Sequence, residues 1–177
     1  MIEFITKSLI KWCERTGRTL HITGTGGPDD VYLVRYYVFQ SNRFNVFIHR
    51  FMRSDRDDLH DHPWDFATYL VSGAYTEKRW DHKEQDVVYT HRLNLEDVGY
   101  GPEKMNRLVF RKAEDQHMVM TDREYAMSEI EQAPLTICVT GRTRREWGFV
   151  SESNCQGRTW IPWRRYLGLP EDEPGRG

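Results

Sequence analysis

Apolar side chains at Ile2, Ile5, Leu9, Trp12 and Cys13 recur at spacings of three and four, and Gly17 follows them. This lays one stripe along a helix over residues 2–15. Beyond it the rhythm changes to short runs of β-branched and aromatic residues and does not change back. Residues 19–22, 31–40 (VYLVRYYVFQ) and 44–51 read as strands. Further extended runs cover 59–72, 75–80, 87–95, 108–111, 117–121, 135–140 and 146–150, with turn residues at 41–43, Gly73, 99–102, Gly141 and Gly148. One helix, many short strands and no strand–helix alternation predict an all-β fold, an antiparallel sandwich or barrel. The pattern places a single domain over 1–168, with the barrel and a C-terminal cover over 19–168. A polar Pro/Gly-rich stretch, 169–177, is expected to be a flexible tail. Gly24-Thr25-Gly26-Gly27 is followed by neither Gly-Lys-Ser/Thr nor a helical pattern, so it reads as a strand connector rather than a phosphate loop.

A chain of 177 residues is the length of one domain. At this size it can bury roughly 70% of its unfolded surface, enough for a core without staples. Hydrophobic residues at 38%, charged residues at 29% and a mean hydropathy of -0.74 describe a water-soluble globular protein, and 13% aromatics exclude a disordered one. No apolar run reaches membrane-helix length, and Met1-Ile2-Glu3-Phe4 lacks the basic-then-apolar layout of a signal peptide. A net charge of -2 argues against indiscriminate nucleic-acid binding. Cys13, Cys138 and Cys155 are odd in number and in no CxxC pair, which points to reduced thiols and a cytoplasmic location.

The sharpest local feature is Leu59-His60-Asp61-His62-Pro63-Trp64-Asp65-Phe66. Two histidines separated by one residue on a strand share a face about 6.8 Å apart, close enough to chelate one ion. A third ligand must come from elsewhere, and His117, at the start of its own extended run, is the best placed. Neutral imidazoles suit a divalent transition metal such as iron, zinc or nickel, and three ligands leave positions open for substrate. Asp61, Asp65 and Asp115 are near enough in sequence to back those imidazoles.

His60-x-His62, Gly73 and the later His117 resemble the two-part signature of the cupin superfamily. That resemblance implies a cupin-type antiparallel β-barrel or jelly roll, with the N-terminal helix outside it and the metal at the barrel mouth. It also implies a glutamate after the second histidine, but the count back from Gly73 puts Phe66 in that slot, with Asp65 beside it on the wrong strand parity. A three-histidine site without the carboxylate is similar to that of the thiol dioxygenases, such as cysteine dioxygenase. In that likeness the metal is Fe(II), with Zn, Ni or Mn as alternatives, and Arg35, lying 25 residues before His60, clamps a substrate carboxylate. Tyr89 and Asp65 complete the expected catalytic set. The chain also resembles bacterial and phage cupins of unassigned function that carry HDHPWDF, a stretch like Thr140–Phe149 and a closing WxxWRxYL, here spanning about residues 31–168.

The leading expectation is therefore a small metal-dependent dioxygenase acting on a small acid or thiol. One alternative is a non-catalytic cupin that binds a small molecule, a nucleotide or a partner protein. Another is a metal-free sugar-nucleotide isomerase or epimerase, with His62 beside Asp65 as general base. Arg142, Arg144 and Arg145, interleaved with Trp147, Trp160 and Trp163, have the chemistry of a nucleotide or nucleic-acid surface, but a charged hairpin tip with packed indoles fits them better. A homodimer is expected from the family likeness, and no membrane partner. His49, alternating with Phe47 and Phe51, either lines the same cavity or is a satisfied core histidine.

Overall fold

The computed structural model describes residues 1–23, 29–55, 58–93, 108–153 and 157–169. The glycine run 24–27, the turn at 99–102, Cys155 and residues 170–177 of the expected tail lie outside the described residues. After helix α1 (Ile2–Arg15) come β1 (Thr19–Thr23), β2 (Val31–Gln40), β3 (Asn45–Phe51), β4 (Leu59–His60), β5 (Phe66–Ser72) and β6 (Ala74–Asp81). They are followed by β7 (Asp86–Leu93), β8 (Leu108–Arg111), β9 (His117–Met120), β10 (Leu135–Thr140), β11 (Gly148–Ser153), β12 (Gly157–Pro162) and the short helix α2 (Trp163–Tyr166).

Two antiparallel sheets result, ordered β1-β2-β3-β10-β5-β8 and β12-β11-β4-β9-β6-β7. The inner eight strands, β3 to β10, interleave as β3-β10-β5-β8 against β4-β9-β6-β7, which is the strand order of a jelly roll. The antiparallel jelly roll expected from the motifs is thus present. β1 and β2 extend one sheet, and β11 and β12 extend the other. Among the described residues no helix is long and apolar enough to cross a membrane.

Two expectations need correction. The run 59–72 is two strands, not one: Pro63 cannot donate to a ladder, and across residues 61–65 the chain leaves one sheet for the other. Helix α1 also buries a face rotated from the expected stripe, of which Cys13 and, in part, Leu9 reach the core. Thr6, Ile10 and Cys13 are buried, whereas Ile2, Ile5 and Trp12 remain exposed. Thr6 can sit inward because its hydroxyl donates to the Ile2 carbonyl at 2.8 Å. The row 6-10-13 then packs on Val34, Tyr36, Ile48 and Leu135 from the outer face of the first sheet. Each such buried aliphatic contributes about 1.5–3 kcal/mol.

Because strand side chains alternate, the same strands turn Arg35, Phe47, His49 and Phe51 toward the second sheet. Two apolar clusters fill that interior: Phe47, Phe66 and Cys138, and Leu70, Tyr75 and Val119 with Phe51 against them. Gly73 makes the β5–β6 turn at φ +75°, where a Cβ would also lie 2.9 Å from Pro134 Cα.

Candidate metal centre

His60 ends β4 and lies directly opposite Phe149 on β11 and His117 on β9, so two of the three histidines form a cross-strand pair. The chain then leaves the ladder, but Asp61 keeps the alternation going. Its backbone N–H donates to the Gly148 carbonyl at 3.0 Å. Its carboxylate accepts from Gly148 N at 2.7 Å and from the Trp160 indole at 2.9 Å, and it pairs with Arg145 at 2.9 Å. Gly148 has to be glycine where β11 lies against β12, since a Cβ there would stand 2.2 Å from the Ile161 carbonyl oxygen. With Asp61 anchored outward, His62 turns back inward, its N–H donating to the Ala113 carbonyl at 2.9 Å.

The three imidazoles converge. Ring centroids lie 5.2 Å (His60–His62), 5.3 Å (His60–His117) and 5.0 Å (His62–His117) apart, and one nitrogen from each falls within 4.8 Å of the others. His62 Nε2 and His117 Nε2 are 2.8 Å apart. Burial, reinforced by His117, pushes the His60 imidazole down to about 4, against an opposing pull from Asp55. Burial together with His117 and His60, and more weakly Arg35 and His49, holds His62 well below the usual histidine range. Both rings are therefore neutral at pH 7, the form that binds metals.

His117 is oriented from behind by Glu77 on β6, whose Oε1 lies 2.7 Å from His117 Nδ1. Glu77 is itself gripped by Arg111, Nε at 2.9 Å and the second amino group at 2.6 Å. Burial alone would raise its carboxyl, but the His117 hydrogen bond and the Arg111 pair outweigh that and hold it well below the usual range. An ionised Glu77 makes Nδ1 a protonated nitrogen of His117. The 2.8 Å contact then needs one proton between His117 Nε2 and His62 Nε2. A cation taking the place of that proton would be held by His60, His62 and His117. The donor set, one imidazole nitrogen from each of three histidines within 4.8 Å of one another, fits such an ion.

Phe66, in the slot where the family likeness expects a glutamate, lies edge-on to His62 at 4.7 Å and 5.6 Å from His117. An aromatic wall stands where a fourth ligand would be. Arg35 is half-buried on the inner face of β2, its Nε donating to His49 Nε2 at 3.0 Å and its guanidinium over the Phe47 ring at 4.9 Å. The other expected catalytic residues lie elsewhere. Tyr89 is opposite Lys78, one position off the inward Glu77–Thr90 pair, so it faces outward and is 57% exposed. Asp65 accepts from Ala113 N and is clamped by Arg144 at 2.9 Å, so it ties loops together and does not sit as the partner of His62.

Asp61 and Asp115 likewise do not back the imidazoles, since Asp115 caps Lys112 N at 2.9 Å. Sequence reasoning missed Glu77 and Arg111. The inward parity of Tyr75 and Glu77 on β6 is the one signal that pointed to the carboxylate. Arg142 is exposed, Arg144 and Arg145 are held in ion pairs, and Trp147 stacks on Trp163 at 5.6 Å.

Neither a protein-family model nor a curated protein matches the sequence. Among solved structures the chain is similar to a cupin-2 domain protein from Rhodospirillum rubrum, at 12% identity and a TM-score of 0.48 over 76% of this chain and 75% of that one. It is also similar to the polyketide cyclase RemF from Streptomyces resistomycificus, at 14% identity and 0.45 over 82% and 85%. A conserved protein with a double-stranded β-helix domain from Klebsiella pneumoniae matches at 13% identity and 0.44 over 73% and 84%.

Proposed function

We propose that this chain is a small metal-dependent enzyme in which His60, His62 and His117 hold one divalent transition metal, iron(II) foremost. In this reading Arg35 receives the carboxylate of a small acid or thiol acid that is oxidised by dioxygen. The observation that carries the reading is the convergence of three imidazoles, two of them held neutral by burial, from two separate stretches of chain on one point inside the jelly roll. When bound, such an ion supplies Lewis acidity and open positions for substrate and dioxygen.

The protein's own groups do the rest. Glu77 holds the Nδ1–H of His117, and the proton between the His62 and His117 Nε2 atoms leaves when both become ligands. Phe66 keeps water off one side of His62, and the terminal amino groups of Arg35 offer a planar fork to a carboxylate. For a thiol acid the reaction balances without an external reductant. Both oxygen atoms pass to sulfur, giving a sulfinate, so sulfur loses the four electrons that dioxygen gains.

Elemental analysis of untagged protein is expected to find about one transition-metal ion per chain, lost in His62→Ala, as a three-ligand site requires. Protein that carries no transition metal and behaves identically after His62→Ala would overturn the reading. The His117–Glu77 contact favours one further reading, a metal-free isomerase in which that pair acts as general base. Turnover of a sugar nucleotide by chelator-treated protein is the result that would select it.

A further inference from the structure

We propose that His49 is a positioning residue: it locks the Arg35 guanidinium in the one orientation that presents its terminal amino groups to a substrate carboxylate. The inference rests on the reading of Arg35 given above and adds a residue to it. A guanidinium is permanently protonated and can only donate, so the 3.0 Å contact from Arg35 Nε makes His49 Nε2 an acceptor and His49 the Nδ1–H tautomer. That nitrogen is therefore not free for a metal. His49 is buried, with Phe47 stacked on its ring at 5.8 Å and Phe51 edge-on at 6.2 Å, and Phe47 also underlies Arg35. The guanidinium is planar, so fixing Nε and the ring beneath it fixes the plane of the whole fork.

Arg35, His49 and Thr136 form one row across β2, β3 and β10. The Thr136 hydroxyl is buried there and has no hydrogen-bond partner among the described residues.

The test uses Co(II)-loaded protein titrated with mercaptoacetate and with ethanethiol, read by the sulfur-to-cobalt charge-transfer band. Wild type is expected to bind the acid roughly tenfold or more tighter than the neutral thiol, and Arg35→Met to erase that preference. His49→Phe, which extends the Phe47–Phe51 stack, is expected to weaken mercaptoacetate about tenfold while leaving ethanethiol and Co(II) affinity within about twofold. His49→Gln restores an acceptor and is expected to stay within about threefold of wild type. In metal-free protein, imidazole ¹⁵N shifts should show His49 as the pure Nδ1–H tautomer, becoming mixed in Arg35→Met. This readout does not depend on the His49 variants folding. Full acid preference in both His49 variants, or a His49 tautomer indifferent to Arg35→Met, overturns the positioning role and leaves Arg35 as the clamp. Absence of acid preference in wild type, or its survival in Arg35→Met, overturns the clamp reading and this inference with it.

Discussion

His117 and His49 stand on opposite sheets and are equally buried, each 8% exposed, yet they are held by groups of opposite charge. His117 donates Nδ1–H to the Glu77 carboxylate, which enriches its far nitrogen and aims it at the cluster. His49 accepts from the Arg35 guanidinium, which occupies a nitrogen lone pair and places a positive charge beside the ring. Burial and residue type do not tell the two apart. The neighbour does: a carboxylate makes a histidine a ligand, and a guanidinium makes it a prop.

The comparison breaks most visibly at Glu77. Glu77→Leu leaves the part-buried Arg111 without its carboxylate and is expected to cost about 3 kcal/mol in urea unfolding. Glu77→Gln keeps the volume and is expected to lower metal affinity about 10- to 100-fold in chelator competition. Equal losses of metal affinity in Glu77→Gln and His49→Phe would erase the distinction.

Next in size is the response to acid. His49, His60 and His62 all bind protons less readily folded than unfolded, because burial disfavours their charged forms. The unfolded chain therefore takes up more protons below its own histidine value of about 6.5, and stability falls as pH is lowered. The contribution is complete above about 6.5 and drains away toward the His60 value of about 4. Denaturant midpoints measured across that window should slope, and the slope should shrink in His60→Gln. A flat wild-type profile would count against neutral, buried rings. The smallest effect is expected at Tyr89. Tyr89→Phe on the outer face should change stability by less than about 0.5 kcal/mol and leave metal affinity untouched.

Much of the fold was legible because period-two runs survive translation into strands. Residues 31–40, 108–111 and 135–140 match β2, β8 and β10 at both ends. Helix α1 kept its limits and only part of its face, Cys13 and Leu9, since Ile2 and Ile5 advertise themselves by hydropathy while a threonine bonded to its own helix does not. The three histidines were legible through motif and alternation. Glu77 and Arg111 were not: Glu77 meets His117 through the register of β6 against β9, which joins Glu77 to Val119 and Arg79 to His117, and Arg111 reaches Glu77 from β8 in the facing sheet. Asp65 misled for the matching reason: adjacency in sequence suggested a partner for His62, but a loop turned its carboxylate to Arg144. Register is the information a single sequence withholds.

The anchoring of Asp61 has a mechanical consequence. Its carboxylate hangs the ligand-bearing turn from Gly148, Arg145 and Trp160, so the last hairpin works as the fixed jaw of a vice whose moving parts are His60 and His62. Slack introduced into β11 or β12, far from any ligand in sequence, would be felt as play between the two imidazoles.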